Sequence, residues 1–213
     1  TVEALIKAGA FDSIHLNRAA LVASIDRAFD FAAATLANVN QGGLFDMMGD
    51  DAHGSSTQEP SLVNVEPWTI RERLTQEKAA IGFYLSGHLF DACKDEVRCF
   101  VKRGIAELAD SREPQLVAGI VSELRVINGQ RGRVAIFRLD DGTESIEAVA
   151  NEELLDANRE LLKEDELVIV SGKVQPDRFA GGLRLNANQL WDLPAARARF
   201  GRHLAVELNG GMP

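Results

Sequence analysis

The chain has 213 residues, a net charge of −9 and a pI of about 5.0. With 46% hydrophobic and 26% charged residues, it is a globular composition of one medium or two small domains, not a wholly disordered chain. The acidic balance excludes coating nucleic acid through bulk charge and leaves only local basic patches to do so. No apolar run approaches the ~20 residues of a membrane-spanning helix. Residue 1 is Thr, with no basic region and apolar core behind it, so an excised or processed piece is expected rather than a whole translation product.

The first elements read as helices. Val2, Leu5 and Ile6 share a face that Gly9 ends. Asn17 is placed to cap a second helix running to about residue 38, with Leu21, Ile25, Ala28, Phe29, Ala32 and Leu36 as its apolar stripe. Residues 39–67 lose all period and carry Gly, Ser and Pro, which predicts a long flexible loop. Thr69 and Glu72 form a capping-box pair that opens a helix over 69–86, whose broad apolar face takes Leu74, Ala80, Ile81 and Leu85. Another helix is predicted over 90–103, with Cys93, Val97, Phe100 and Val101 inside, and a short helical turn over 105–109.

After Pro114 the period changes to that of strands: 115–127, 133–139 and 144–150, separated by NGQRGR and DDGT. A capped helix follows at 151–162, then strands at 166–174 and from about 183 to 193. Three strands, one helix and two strands match a small Greek-key barrel of the OB type, with a split β-sandwich as the competing arrangement. The fold class is therefore α+β, with a helical region at 1–112, a five-stranded OB-type barrel with one inserted helix at 113–193, and a tail at 194–213.

No nucleophile triad, phosphate loop or dinucleotide fingerprint is present, so no catalytic residue is assigned. Cys93 and Cys99 lie six apart with no histidine at ligand spacing and read as reduced, intracellular cysteines. Asp140 and Asp141 belong to a turn signal rather than a metal site. His88, in SGHLF, reads as a structural histidine at a helix junction. Residues 115–193 carry 9 basic and 14 acidic residues, yet Arg125, Arg131, Arg133 and Arg138 fall together on the first two strands and their loop. An OB barrel meets single strands there, so these arginines are candidate nucleic-acid contacts, with Phe179 as an aromatic at a loop tip. The competing reading is a solvated arginine cluster on a scaffold.

Residues 41–48, QGGLFDMM, place an apolar pair behind a polar anchor in the predicted loop. In another protein's pocket, Leu44 and Phe45 would each contribute roughly 1.5–3 kcal/mol, with Gln41 setting direction through its hydrogen bonds. The alternative is that the pair tucks back against the flanking helices.

QGGLF matches the Q-x-x-[LM]-F form of the motif that docks bacterial proteins onto the replication sliding clamp. Together with GAFDSIHLNRAALVASI, AAIGFYLSGHLFD, LVAGIVSELRVI, RVAIFRLDDGT and LVIVSGKV, it resembles the C-terminal half of the alpha subunit family of bacterial DNA polymerase III, over residues 1 to about 195. The family often has Pro where this chain has Leu89. The resemblance implies clamp anchors at Gln41, Leu44 and Phe45, with Asp46 and Met47 at the rim, and an OB domain that contacts single-stranded template. It further implies a parent DNA-directed DNA polymerase, cytoplasmic and Mg²⁺-dependent through a palm that lies upstream of these residues. This segment itself needs no cofactor. The implied partners are the beta clamp, single-stranded DNA, and tau with other holoenzyme subunits through regions outside the chain; no membrane is implied. A free-standing OB single-strand-binding module is the alternative function.

Overall fold

In the computed structural model, residues 1–45, 59–129, 132–177 and 181–202 are described, with the side chains of 38–45 outside that description. Two compact units divide at Gly87/His88. The sequence placed the change at 112; the difference lies in residues 88–112, which cluster with the strands.

The first unit contains α1 (Val2–Lys7), α2 (Arg18–Ala23), α3 (Ile25–Phe45) and α4 (Ile70–Ile81). Asn17 caps α2 by accepting from the Ala20 N–H at 3.1 Å, and the Thr69/Glu72 capping box opens α4. The single helix predicted from Asn17 is broken at Ser24. Its hydroxyl donates to the Ala20 carbonyl (2.7 Å) and accepts from the Val63 N–H (2.8 Å), competing with the helical ladder. Beyond it, α3 continues through Phe45, overrunning the predicted start of the loop. Alanine and leucine favour helix through residue 37, and no proline intervenes before Pro60.

Phe29 and Leu36, assigned to a buried stripe, are exposed. Leu85 is also exposed, because Gly82, at φ 91°, ends α4 in the left-handed conformation before the predicted helix reaches it.

Only Ile6, Ala19, Ala20 and Leu74 are fully buried apolar residues among those described in this unit. A polar hub completes its interior. Arg18 grips Asp12 with two hydrogen bonds (2.8 and 2.6 Å) and donates to the Lys7 carbonyl (3.0 Å) and to Glu77 (3.2 Å). The other oxygen of Glu77 accepts from the Leu85 and Ser86 N–H groups at 2.7 and 2.9 Å. Arg18 is 5% exposed and Glu77 0%. Gly9, at φ 88°, adjoins the hub: a Cβ there would lie 2.3 Å from the Arg18 guanidinium.

The second unit holds a closed barrel of β1 (Gln115–Gly129), β2 (Gly132–Asp140), β3 (Ser145–Ala150), β4 (Leu167–Pro176) and β5 (Leu183–Trp191), in the order β1-β2-β3-β5-β4. All neighbours are antiparallel except β3 and β5, which are parallel. Alternation delivers Ala135, Phe137 and Leu139, Ile146 and Ala148, Val168 and Val170, and Leu185 to one core. A bulge between Ser122 and Arg125, with Glu123 at φ 52°, bends β1 so that one strand pairs with β4 along its first half and with β2 along its second. Between β3 and β4 the predicted twelve-residue helix shortens to α6 (Glu152–Ala157), and α7 (Leu193–Phe200) follows β5.

The helix predicted over 90–103 is instead a 3-10 turn, Leu89–Ala92, and a single α-turn, α5 (Lys94–Val97). His88 and Asp91 cap each other's backbone, and Cys93 breaks the run at φ −129°. The histidine Nδ1 accepts from the Phe90 N–H (3.2 Å), while Nε2 lies 3.3 Å from Asp140. Beside it, the buried Asp141 accepts from Ile105 N–H and Arg98, both at 3.0 Å, and from Thr143 N–H and hydroxyl at 3.0 and 2.5 Å. The DDGT turn is thus the bolt that fastens residues 88–112 to the barrel, while Ile105 and Leu108 enter its core.

Burial opposes ionisation of Asp141, but these donors, led by the Thr143 hydroxyl, outweigh it and hold its pKa below the ordinary 3.8. Asp141→Asn would turn one acceptor into a donor facing donors. It is expected to cost about 1–3 kcal/mol at neutral pH, read by thermal or denaturant unfolding. Because the folded pKa is depressed, the aspartate's advantage is present above pH ~3.8 and is lost as pH falls through the folded value, so the two proteins should converge in strong acid. Equal stability at pH 7 would refute this role.

Candidate functional site

Two candidate sites come from the sequence, and the structure treats them differently. Gln41, Leu44 and Phe45 occupy the last turns of α3. Asp46 and Met47 lie outside the described residues, as do the side chains of the three anchors. In a helix, positions i, i+3 and i+4 share one side. Gln41, Leu44 and Phe45 have that spacing, with Gly42 and Gly43 between them. Each of these glycines weakens a helix by roughly 1 kcal/mol relative to alanine.

The arginine cluster separates on folding. Arg133 has the parity of the inward residues Ala135 and Phe137, but sits where β2 meets α6. There it donates to Glu152 at 2.8 Å and to both oxygens of Asp156 at 3.0 and 2.9 Å. Arg125 and Arg138 stand on the outer wall. Arg138 approaches Glu123 at 3.4 Å and Ser145 at 3.3 Å, and Arg125 lies 3.9 Å from Glu147. Arg131 and Phe179 lie outside the described residues.

Strand register assembles the wall into two rows. One runs Arg125, Ile136, Val149, Asn186, Lys173; the other runs Arg138, Glu147, Arg184, Gln175. Arg184, Asn186, Lys173 and Gln175 were missed by sequence reasoning, because barrel closure, through the β3–β5 and β1–β4 pairs, is what brings the last two strands beside the first three. The alternation of LRLNANQLW carries the available hint, since Arg184 and Asn186 flank the buried Leu185. Gly172 belongs to the same junction: a Cβ there would sit 2.4 Å from the Asn186 carbonyl oxygen.

The electrostatics of the wall are mixed rather than basic. Glu147 stands in its middle, 2.6 Å from Arg184, which also reaches Asp177 at 3.0 Å. Arg133 is more tightly neutralised, with Glu152 and Asp156 beside it raising its pKa above the ordinary guanidinium value. Arg125 is the most accessible of the described arginine candidates, with its side chain 64% exposed and only a long ion pair. Such a surface offers a few lightly neutralised cations and side-chain amides among acidic neighbours, not a strongly positive field. Among the described residues no group of three or more His, Cys, Asp or Glu is placed to hold a metal ion, and no helix is long and apolar enough to cross a membrane.

Residues 115–193 match the family model of the OB-fold nucleic acid binding domain. The chain is 40% identical to DNA polymerase III subunit alpha of Neisseria meningitidis serogroup A, over 98% of its own length and 18% of that protein. It is 35% identical to the same subunit of Pseudomonas aeruginosa, over 100% of this chain and 19% of that one. Among solved structures, a domain of replication protein A from Methanococcus maripaludis matches 43% of this chain and 93% of its own, at 22% identity and a TM-score of 0.36. The chain therefore spans under a fifth of the length of these curated relatives and is similar to them over nearly all of its own length, with residues 115–193 also similar to the OB-fold family.

Proposed function

We propose that this chain is a non-catalytic segment of a replicative DNA polymerase, which tethers the enzyme to its sliding clamp and contacts single-stranded template. The observation that carries this reading is the 40% identity to DNA polymerase III subunit alpha over 98% of the chain. Gln41, Leu44 and Phe45 are the clamp anchors, with Asp46 and Met47 at the rim of the clamp's pocket. A clamp encircling DNA raises the effective concentration of a tethered polymerase near the primer end, which is how a modest docking affinity becomes processivity. Chemistry belongs to a Mg²⁺-dependent polymerase centre elsewhere in such an enzyme, and tau and the other holoenzyme subunits engage other regions of it. The setting is the cytoplasm.

The test of the tether is affinity for the clamp with and without residues 41–45. Unchanged affinity of the deleted form would end it. The alternative, a free-standing OB single-strand binder, rests on the family match of residues 115–193. It requires tight strand binding with no clamp capture, and the neutralised arginines of the wall count against it.

For the barrel, Arg125→Gln with Lys173→Gln should reduce the slope of log affinity against log salt for a single-stranded oligonucleotide. The expected reduction is about 0.7 for each phosphate that the protein no longer neutralises. Arg133→Gln should leave that slope nearly unchanged, because two carboxylates already neutralise the guanidinium. An unaltered slope in the double variant would reject the outer wall as the contact surface.

A further inference from the structure

A single strand needs aromatic faces as well as cations, and the outer wall rows contain none. The rings lie further along β5. Trp191 packs edge-on to Phe200 of α7, with centroids 5.2 Å apart and planes at 88°. Phe200 stacks on Phe100, at 6.2 Å and 20°. The Arg199 guanidinium sits over both Trp191 (5.4 Å) and Phe200 (5.8 Å). Phe100 and Phe200 are only half-buried, and they line an open cavity of about 630 Å³ with Cys99, Lys102, Gly201 and Arg202. That volume falls in the usual range for small-ligand sites.

The lining has a specific chemistry. Two phenyl rings offer flat apolar surface to a π-face, while an ammonium and a guanidinium stand beside them for an anion. A thiol completes the wall. A centroid separation of 6.2 Å is too narrow for a third ring between two parallel ones, which needs about 7 Å from ordinary contact distances, so a base would lie against the pair rather than within it. Arg197 is already held by Glu96 (2.6 Å), whereas Arg199 spends its charge on ring faces, where it rigidifies the aromatic cluster. Trp191 lies five residues beyond Asn186 on the same strand, roughly 17 Å along it, so the ring that packs on Phe200 stands within a few nucleotides' reach of the outer wall.

We propose that the cavity between residues 99–102 and the end of α7 takes a nucleobase and its phosphate from the same single strand that crosses the outer wall. Phe100 and Phe200 supply the stacking surface, and Lys102 and Arg202 meet the phosphate. This inference rests on the barrel being the strand-binding part, and its test separates the two ideas.

Trp68→Phe leaves Trp191 as the sole tryptophan. In that background, titration with oligodeoxythymidylate should change Trp191 emission, and bound oligonucleotide should slow alkylation of Cys99. Phe100→Leu and Phe200→Leu keep apolar volume but remove the rings. Each should weaken oligonucleotide binding at least about fivefold, and Tyr at either position should restore it. Lys102→Gln with Arg202→Gln, which leaves the ring packing intact, should lower the salt slope by about 0.7, the value for one phosphate no longer neutralised. Wild-type affinity in the Leu variants, with a silent Trp191 and an unchanged slope, overturns the cavity and leaves the outer wall standing. Absence of oligonucleotide binding by the unaltered chain overturns both.

Discussion

Alanine at both Leu44 and Phe45 should weaken capture by the sliding clamp by roughly 100-fold or more. Each side chain contributes about 1.5–3 kcal/mol when moved from water into an apolar pocket, and about 1.4 kcal/mol corresponds to a factor of ten. Gln41→Ala should cost less, because one hydrogen bond is worth about 0.5–1.5 kcal/mol net. Gly42 and Gly43, between these residues, make this turn of α3 less costly to unwind. Titration against immobilised clamp measures the loss, with the melting temperature of the double variant as the control for folding. Retention of wild-type affinity in the folded double variant would remove the tether and leave the barrel.

The second large effect is expected inside the first unit. Glu77→Ala should destabilise it by about 3–5 kcal/mol, because it leaves a buried guanidinium and two N–H groups short of their acceptor. Arg18 would retain Asp12 but no longer have a carboxylate at position 77, and the Leu85 and Ser86 N–H groups would lose their acceptor. With so few buried apolar residues around it, the unit has little to set against that loss. Glu77→Gln keeps one acceptor and should cost less. Desolvation favours the protonated acid, but the Ser86 and Leu85 N–H groups and Arg18 more than offset it, so the folded pKa lies below the ordinary 4.5. A depressed carboxylate pKa gives stability that is present above pH 4.5 and fades as pH drops through the folded value. Denaturant unfolding from pH 7 downward should show wild type and Glu77→Ala converging in acid. A difference below about 1 kcal/mol at pH 7 would refute the hub.

Much of the barrel was legible beforehand for a definable reason. Strand alternation such as Ala135-Ile136-Phe137-Arg138-Leu139 reports one buried face whatever partner the strand finds, and turn residues such as Asp140-Asp141-Gly142 report where it ends. Capping signals at Asn17 and Thr69 were legible because they act within three residues. The helical half was harder to read. Glu77 looks like a surface residue on any hydropathy count, yet it is among the most enclosed side chains of its unit. Phe29, Leu36 and Leu85 look like core and face outward.

The sequence by itself determined the order of the barrel strands, the caps and turns, and the similarity to a polymerase subunit. All of these depend on neighbours along the chain or on matched residues. Only the tertiary structure decided which charges meet. It drew Arg133 to α6 and placed Lys173 and Arg184 beside Arg125 and Arg138. It also buried Glu77 against Arg18 and gathered Phe100, Trp191 and Phe200 into one cluster. Coulomb attraction and ring contact act over a few ångströms of space, and residues 59 to 100 positions apart come that close only after the barrel has closed and the helices have packed.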